Sequence, residues 1–582
     1  MDLFKENMSK CACGHLFSRH TSSGCRDSSC PCTFGTYAQT NQNPGNQLLF
    51  DPLDTMISGP QIDIEAIDKQ VQMAFPCYVK NDQIWNEIEI LWDEFHELYE
   101  KQEYKKIPGV MDKIIQIKPD DQYAYMYKAY ALDELKQHEE AIRCLDASLD
   151  IDEKFARAMH IKGIVLNNLE RYDEAITFFD KALEVDPEYK KSLFNKGRSL
   201  LYLKQYNKAI QYYNKVLKID SEDNYALNNK ALALTNLKKY GDSVVWFDKA
   251  LEIDPKNLFS LTGRAVALMN LKKHDEAIVY FDKALEIDPK YVHALNCKGT
   301  TLDDLGKYDE AIVWFDKALE IASKHIPSLC NKGLTLMTLG KYDEARDFYN
   351  KVLEIDQNNV YALSAKGQII STQQGKDDEA IVYFDKALEI DPENSNLINN
   401  KGHSLLNLKK HDEAIVYFDK ALEIDPKYVH ALNNKGLVLM NLKKYDEAIV
   451  WFDKALEIDP KYAHALNNKG LVLMTLGKDD EAIVYFDKAL EIDPKYLNAL
   501  NNKAWALVKM ERYEEALLFS EKGLVAVSNT PNNIHTMGYI LLKLKQYQDA
   551  IKWFDKALAI DPNHKDIIKD RQLAADAAKL DK

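Results

Sequence analysis

No run of about 18 consecutive apolar residues occurs in the chain, and a membrane-crossing helix needs one. The N-terminus, MDLFKENMSKCACGH, lacks an apolar core of the secretory type, so the expected setting is cytoplasmic. Positive charge is not in surplus. The 75 Lys and Arg face 91 Asp and Glu, and the formal charge of −16 argues against a general binder of nucleic acid or anionic membrane. A Gly-rich phosphate loop and a nucleophile beside its base are both missing, so no enzymatic activity is expected. Cysteine is scarce outside one place: five of the nine fall between Cys11 and Cys32, while Cys77, Cys144, Cys297 and Cys330 are scattered. That distribution points to a metal module in a reducing compartment rather than a disulfide framework.

What the chain does contain is one sentence repeated. The stretch Val429–Tyr462, VHALNNKGLVLMNLKKYDEAIVWFDKALEIDPKY, recurs with variation from about residue 88 to about residue 564. Pro187, Pro255, Pro289, Pro392, Pro426, Pro460, Pro494 and Pro562 each follow an Asp, and their spacing is 34 or a multiple of it, save one extra residue between Pro289 and Pro392. A fixed period of this size means a solenoid of stacked units, and 34 points to helix–turn–helix. About fourteen units are expected. The extra residue belongs to the unit at 360, in the turn Ser371–Lys376, where an insertion is tolerated.

Two helices are legible in each unit. Ala431, Leu432, Gly436, Leu439 and Leu442 line one face of the first; Tyr445, Ala448, Ile449, Phe452, Ala455 and Leu456 line one face of the second. Asp446 and Glu447 favour the positive end of the second helix, and Pro460 prevents its continuation. Counting from the first residue of each unit, position 8 is Gly in nine units and Ala in four, and position 20 is Ala in twelve. Gly within a helix costs roughly 1 kcal/mol against Ala, so close helix packing is the reason for it.

These residues resemble the tetratricopeptide repeat family, through Leu432, Gly436, Ala448, Phe452 and Pro460 in that family's spacing. The resemblance spans about four fifths of the chain and implies an all-α, right-handed α-solenoid superhelix that holds other proteins. Position 7, usually Leu in the family, is almost always Lys here. A structural ladder of ion pairs to acids such as Asp453 or Glu457 is expected for that row, with a basic stripe for acidic peptides as the alternative.

By the same resemblance, positions 2, 5, 6, 9, 12 and 13 face a concave groove. Position 6 is Asn195, Asn229, Asn331, Asn400, Asn434, Asn468 and Asn502 in seven units, and His430 and His464 stand at position 2 of two adjacent ones. An Asn amide both donates and accepts, so a row of them suits the backbone of an extended peptide. The competing reading is that the row satisfies neighbouring turns and was copied with the repeat.

Before the array, residues 1–34 form a candidate zinc segment with Cys11, Cys13, His15, His20, Cys25, Cys30 and Cys32 as ligands. Little apolar material lies between them, so a metal would have to hold the segment together. The string is similar to short zinc-binding stretches of some archaeal proteins. Zinc takes four such ligands, so three are spectators or two ions share a thiolate. Residues 35–87 read as a linker with a possible short helix, 88–564 as the array, and 565–582 as a capping helix whose Ile567, Ile568 and Leu573 point inward. The expected function is a scaffold or adaptor for protein or extended peptide. The alternatives are a zinc-dependent nucleic-acid-associated adaptor and a regulatory subunit of an enzyme complex.

Overall fold

The structure is a computed structural model of the whole chain, and it describes residues 20–21, 24–25, 82–372, 376–526 and 531–580. The described helices of the array follow the 34-residue period, with one residue added in the unit at 360. First helices begin at Gln122, Ala156, Lys190, Asn224, Leu258, Val292, Ile326, Val360, Ser395, Val429, Ala463, Leu497 and Pro531, each followed by an antiparallel second helix. In the unit at 360 the second helix starts at Asp377, so its extra residue lies between the two helices. The first helix of the array differs from expectation. It runs Asp82–Glu100, six residues ahead of 88, and so reaches into the stretch read as a linker.

The local reasons for this regularity are repeated too. Among the described residues, the first helices outside the unit at 360 are followed by a left-handed residue, such as Lys443 with φ 61°, or Gly477 with φ 78°. The Lys444 N–H then reaches back to the Leu439 carbonyl at 2.9 Å and the Lys443 N–H to Met440 at 2.9 Å, which satisfies the last carbonyls of the helix. Most second helices end on an Asp whose side chain accepts the N–H two residues on, as Asp459 does from Lys461 at 2.9 Å; the unit at 292 has Ala322 in that place. The unit therefore closes its own backbone at both ends without help from its neighbours.

Packing explains the small residues. A Cβ built on Gly436 would lie 2.6 Å from Phe452 Cε1, and one on Gly470 would lie 2.6 Å from Phe486 Cε1. Both rings are fully buried, with Ala448 and Ala455 beside Phe452 also at 0% exposure. Two of the four exceptions lose the ring, and the other two, Ala231 with Phe247 and Ala265 with Phe281, keep it. Where position 8 is Ala129 or Ala504, position 24 is Leu145 or Ser520 instead of a ring. Where it is Ala231, the ring of Phe247 packs against Gly263 of the next unit, 2.3 Å from where a Cβ would stand.

Two compact units divide the chain, one of residues 45–328, the other of 1–44 with 329–582. In the second, the closing helix Lys565–Leu580 buries Ile567 and Ala574. Ile568 and Leu573, expected inside, are 46% and 51% exposed. Ile567 and Ala574 stand seven residues apart, two helical turns on one face, and Ile568 is turned by about 100° from them. This helix behaves as the first helix of one more unit, because Arg571 takes position 7 and pairs with Asp555.

Of the seven proposed zinc ligands, His20 and Cys25 lie in the two described strands, His20–Thr21 and Gly24–Cys25, whose antiparallel register sets them opposite each other. Cys11, Cys13, His15, Cys30 and Cys32 lie outside the described residues. Among the described residues no group of three or more His, Cys, Asp or Glu is placed to hold a metal ion. No described helix is long and apolar enough to cross a membrane.

Candidate functional site

The asparagine row divides into two behaviours, and the neighbour at position 5 decides which. In four consecutive units from 395, positions 5 and 6 are both Asn. There the amides join across repeats. Asn434 Nδ2 donates to Asn399 Oδ1 at 3.0 Å, Asn468 Nδ2 to Asn433 Oδ1 at 2.9 Å, and Asn502 Nδ2 to Asn467 Oδ1 at 2.9 Å. Within a unit, Asn433 Nδ2 reaches Asn434 Oδ1 at 3.4 Å and Asn467 Nδ2 reaches Asn468 Oδ1 at 3.3 Å. A directed relay therefore runs from Asn502 through Asn467, Asn468, Asn433 and Asn434 to Asn399. Each amide carries two N–H groups, and at Asn434, Asn468 and Asn502 the ladder uses one.

Elsewhere position 5 is not an asparagine free to accept, and the row turns inward. Asn195 has His160 at that place and donates instead to the Lys191 carbonyl of its own helix at 3.1 Å; Asn229 has Phe194 there and donates to the Tyr225 carbonyl at 2.9 Å. Asn331 follows Asn296, whose Oδ1 accepts the Ser328 hydroxyl at 3.0 Å. Asn400 follows the short Ser364, and its Nδ2 is buried without a partner.

His430 and His464 form a second chain of cross-repeat contacts. Their Nδ1 atoms each lie 2.9 Å from a tyrosine hydroxyl, that of Tyr462 and that of Tyr496. Burial pushes the His430 ring down to about 4, with His464 adding to the effect, and burial lowers His464 as well. Both rings are neutral at neutral pH and belong to the contact between repeats.

The position 7 row is the ion-pair ladder. Lys469 pairs with Asp453 at 2.5 Å and Lys401 with Asp385 at 2.5 Å, and Lys128, Lys162, Lys196, Lys298, Lys435 and Lys503 pair with the equivalent Asp of the preceding unit. All of these ammonium groups except that of Lys128, whose unit has Cys144 in the place, also stand over an aromatic ring of their own unit, as Lys435 does over Trp451 at 3.9 Å, while Lys454 covers the same ring at 3.9 Å. That ring contact was not legible from charge counting. Its signal is an aromatic at position 23 with Lys three residues later.

Two members of the row lack that acid: the preceding unit offers Asn350 to Lys366 and Asn214 to Lys230. Lys230 is 8% exposed and stands 3.2 Å from the centroid of Trp246. Burial, with Lys249 adding, pushes its ammonium down to about 8.

The structure also brings Cys297 within 3.7 Å of His293 Nε2, one helical turn away. Burial pushes the thiol up to about 12 and the imidazole down to about 4. A nucleophilic thiolate needs the opposite shifts, so this pair is packing.

Tetratricopeptide repeat profiles match residues 154–222, 194–257, 259–291, 290–358, 330–395, 395–428, 429–462, 463–496, 485–517 and 535–564, together well over half of the chain. A profile described as anaphase-promoting complex, cyclosome, subunit 3 matches residues 100–182. Among solved structures, one described as the APC/C hetero-tetramer Cut9–Hcn1 aligns over 89% of this chain and 100% of that one, at 18% identity and a TM-score of 0.57. That match shows a shared α-solenoid fold. The yeast Tom70 structure aligns over 74% of this chain and 96% of that one, at 20% identity and a TM-score of 0.39. No match was found among the curated proteins.

Proposed function

The chain belongs to the tetratricopeptide repeat family, and from that premise we propose that it is a scaffold that holds extended segments of partner proteins along the face its first helices share. The observation that carries this reading is the amide relay of the four units that begin at 395, 429, 463 and 497. Asn434, Asn468 and Asn502 are fixed in one orientation by bonds to the previous repeat, and each keeps a second N–H. An extended peptide presents carbonyls that such donors fit, with specificity left to adjacent side chains. Met440 and Met474, one position before the end of their helices, supply adaptable apolar contact. Oriented donors bind with less ordering cost than mobile ones.

Replacing Asn434, Asn468 and Asn502 together by Ala tests this. A pull-down from native extract is expected to lose at least one partner that wild type retains, with helicity unchanged. Identical partners from both proteins would refute the groove reading.

A second reading, a subunit of a multi-protein enzyme complex, draws support from the profile match over residues 100–182. It uses the same binding mode, with the partners being fixed subunits rather than passing clients. We also propose a cytoplasmic setting, and zinc on the N-terminal segment, on the strength of its seven soft ligands in 22 residues. Full-length protein purified without chelator is expected to contain zinc and to lose it when Cys11, Cys13, Cys30 and Cys32 become Ser. A metal-free native preparation would reject the site.

A further inference from the structure

One repeat has a charge unlike the others. From Tyr189 to Ile219 the sequence holds seven Lys and one Arg and no Asp or Glu, whereas the matching stretch Tyr428–Ile458 holds four Lys and four acids. In a chain of net charge −16 this is a local reversal of sign. Part of it is used by the fold: Lys190 pairs with Asp220 at 2.8 Å and Asp223 at 3.1 Å, and Lys196 with Asp180. The missing acids also leave Asn214 where Lys230 would find its carboxylate.

Arg198 is the residue the fold does not explain. It stands at position 9 of the unit at 190, a position expected to face the groove, where the unit at 429 has Leu437. Its side chain is only 9% exposed, its Nε has no hydrogen-bond partner, and among the described residues it has no carboxylate partner. A buried, uncompensated guanidinium costs several kcal/mol in principle, and a pairing carboxylate would recover part of that. Two more cations are near it. Lys191, Arg198 and Arg157 all act electrostatically on the one imidazole of His160, and the two flanking cations both stand at position 2 of their units. Beside them the rings of Phe194 and Tyr225 meet edge to face at 6.4 Å, and Tyr225 is 37% exposed.

We propose that the first-helix face of the units at 156, 190 and 224 binds an acidic peptide segment of a partner protein, seating a carboxylate side chain on Arg198 and Lys191 with apolar support from Phe194 and Tyr225. This rests on the scaffold reading above but uses a different stretch of the array and a different chemistry: charge-assisted pairing in place of neutral amides. A peptide fits better than nucleic acid. The surrounding negative charge repels a long polyanion, and one aromatic pair offers no series of stacking platforms.

The test uses the full chain and a fluorescein-labelled dodecapeptide of alternating Gly and Glu, in fluorescence anisotropy at low salt. Controls are the same peptide with Gln for Glu and a dodecamer of thymidine. The Glu peptide is expected to bind, weakening as salt rises, and the Gln peptide at least ten-fold more weakly. Arg198→Met with Lys191→Gln is expected to weaken Glu-peptide binding at least ten-fold. Arg198→Met alone should leave the melting temperature unchanged or raise it, since the fold gives that residue no partner. If the double variant misfolds, Lys191→Glu alone, at a partly buried position, should produce the loss. The variant with Asn434, Asn468 and Asn502 changed to Ala should bind the Glu peptide as wild type does. Equal binding by wild type and the charge variants would overturn the proposal, as would stronger binding of the thymidine oligomer. A loss confined to the Asn variant would overturn it too while leaving the amide relay standing.

Discussion

Gly436→Leu should cost about 3 kcal/mol or more, the upper range for overpacking a rigid core. Even the first added carbon meets the Phe452 ring at 2.6 Å, and that ring is fully buried. The intermediate change Gly436→Ala sets a helix-propensity gain of roughly 1 kcal/mol against an overpacking cost of about 1–3 kcal/mol, for a net loss. The array itself names the compensating change, since Ala129 occurs with Leu145 at position 24. Gly436→Ala with Phe452→Leu should therefore be less destabilised than the sum of its parts, by about 1 kcal/mol. Gly241→Ala is the control. Nothing lies within 4 Å of the added carbon, so it should be neutral or stabilising by up to about 1 kcal/mol. Urea unfolding followed by circular dichroism measures these variants together with Phe452→Leu alone. A Gly436→Leu protein as stable as wild type would show that the helix contact is not as tight as described.

Acid should loosen the array well above the range where ordinary carboxylates titrate. Burial is the main force pushing His160 down to about 3 and His293, His325 and His430 down to about 4. Their unfolded value is near 6.5. Between 6.5 and 4 the unfolded chain takes up protons on these rings and the folded chain does not, so stability falls as pH drops through that window. Below about 4 the full penalty is present for the three rings at that value. A fully buried ring contributes on the order of 2 kcal/mol at pH 5, and rings that solvent partly reaches contribute less. Denaturation midpoints at pH 7, 6 and 5 should decline in steps, and His160→Phe should flatten part of the slope. No decline between pH 7 and 5 would mean that the imidazoles are not held neutral.

Much of the fold was readable because each unit repeats its own instructions. Helix starts follow from the period, and the Lys469–Asp453 pair follows from two charges copied together. What could not be read was set by partners in the adjacent repeat. Asn195 and Asn434 occupy the same position, yet one bonds its own helix and the other its neighbour. The difference lies in His160 and Asn399, each 35 residues back. Position 5 enters the relay as fully as position 6, and the Asn-Asn doublets at 399–400, 433–434, 467–468 and 501–502 were its sequence signal. In the same way, the missing partner of Lys230 is visible only when Asn214 is aligned with Asp453. Ile568 and Leu573 were misplaced because two apolar residues outweighed a register in which Ala574, not Leu573, shares a face with Ile567.

Partners are expected along the first helices and not on the exposed second-helix valines. Photo-crosslinking amino acids placed singly at Leu437 and Leu471, and at Val450 and Val484, test this in native extract. The two valines are each 51% exposed, so both faces are accessible to the probe. Discrete adducts are expected from Leu437 and Leu471, and they should disappear when Asn434, Asn468 and Asn502 are changed to Ala. Adducts from Val450 and Val484 alone, unaffected by those changes, would contradict it.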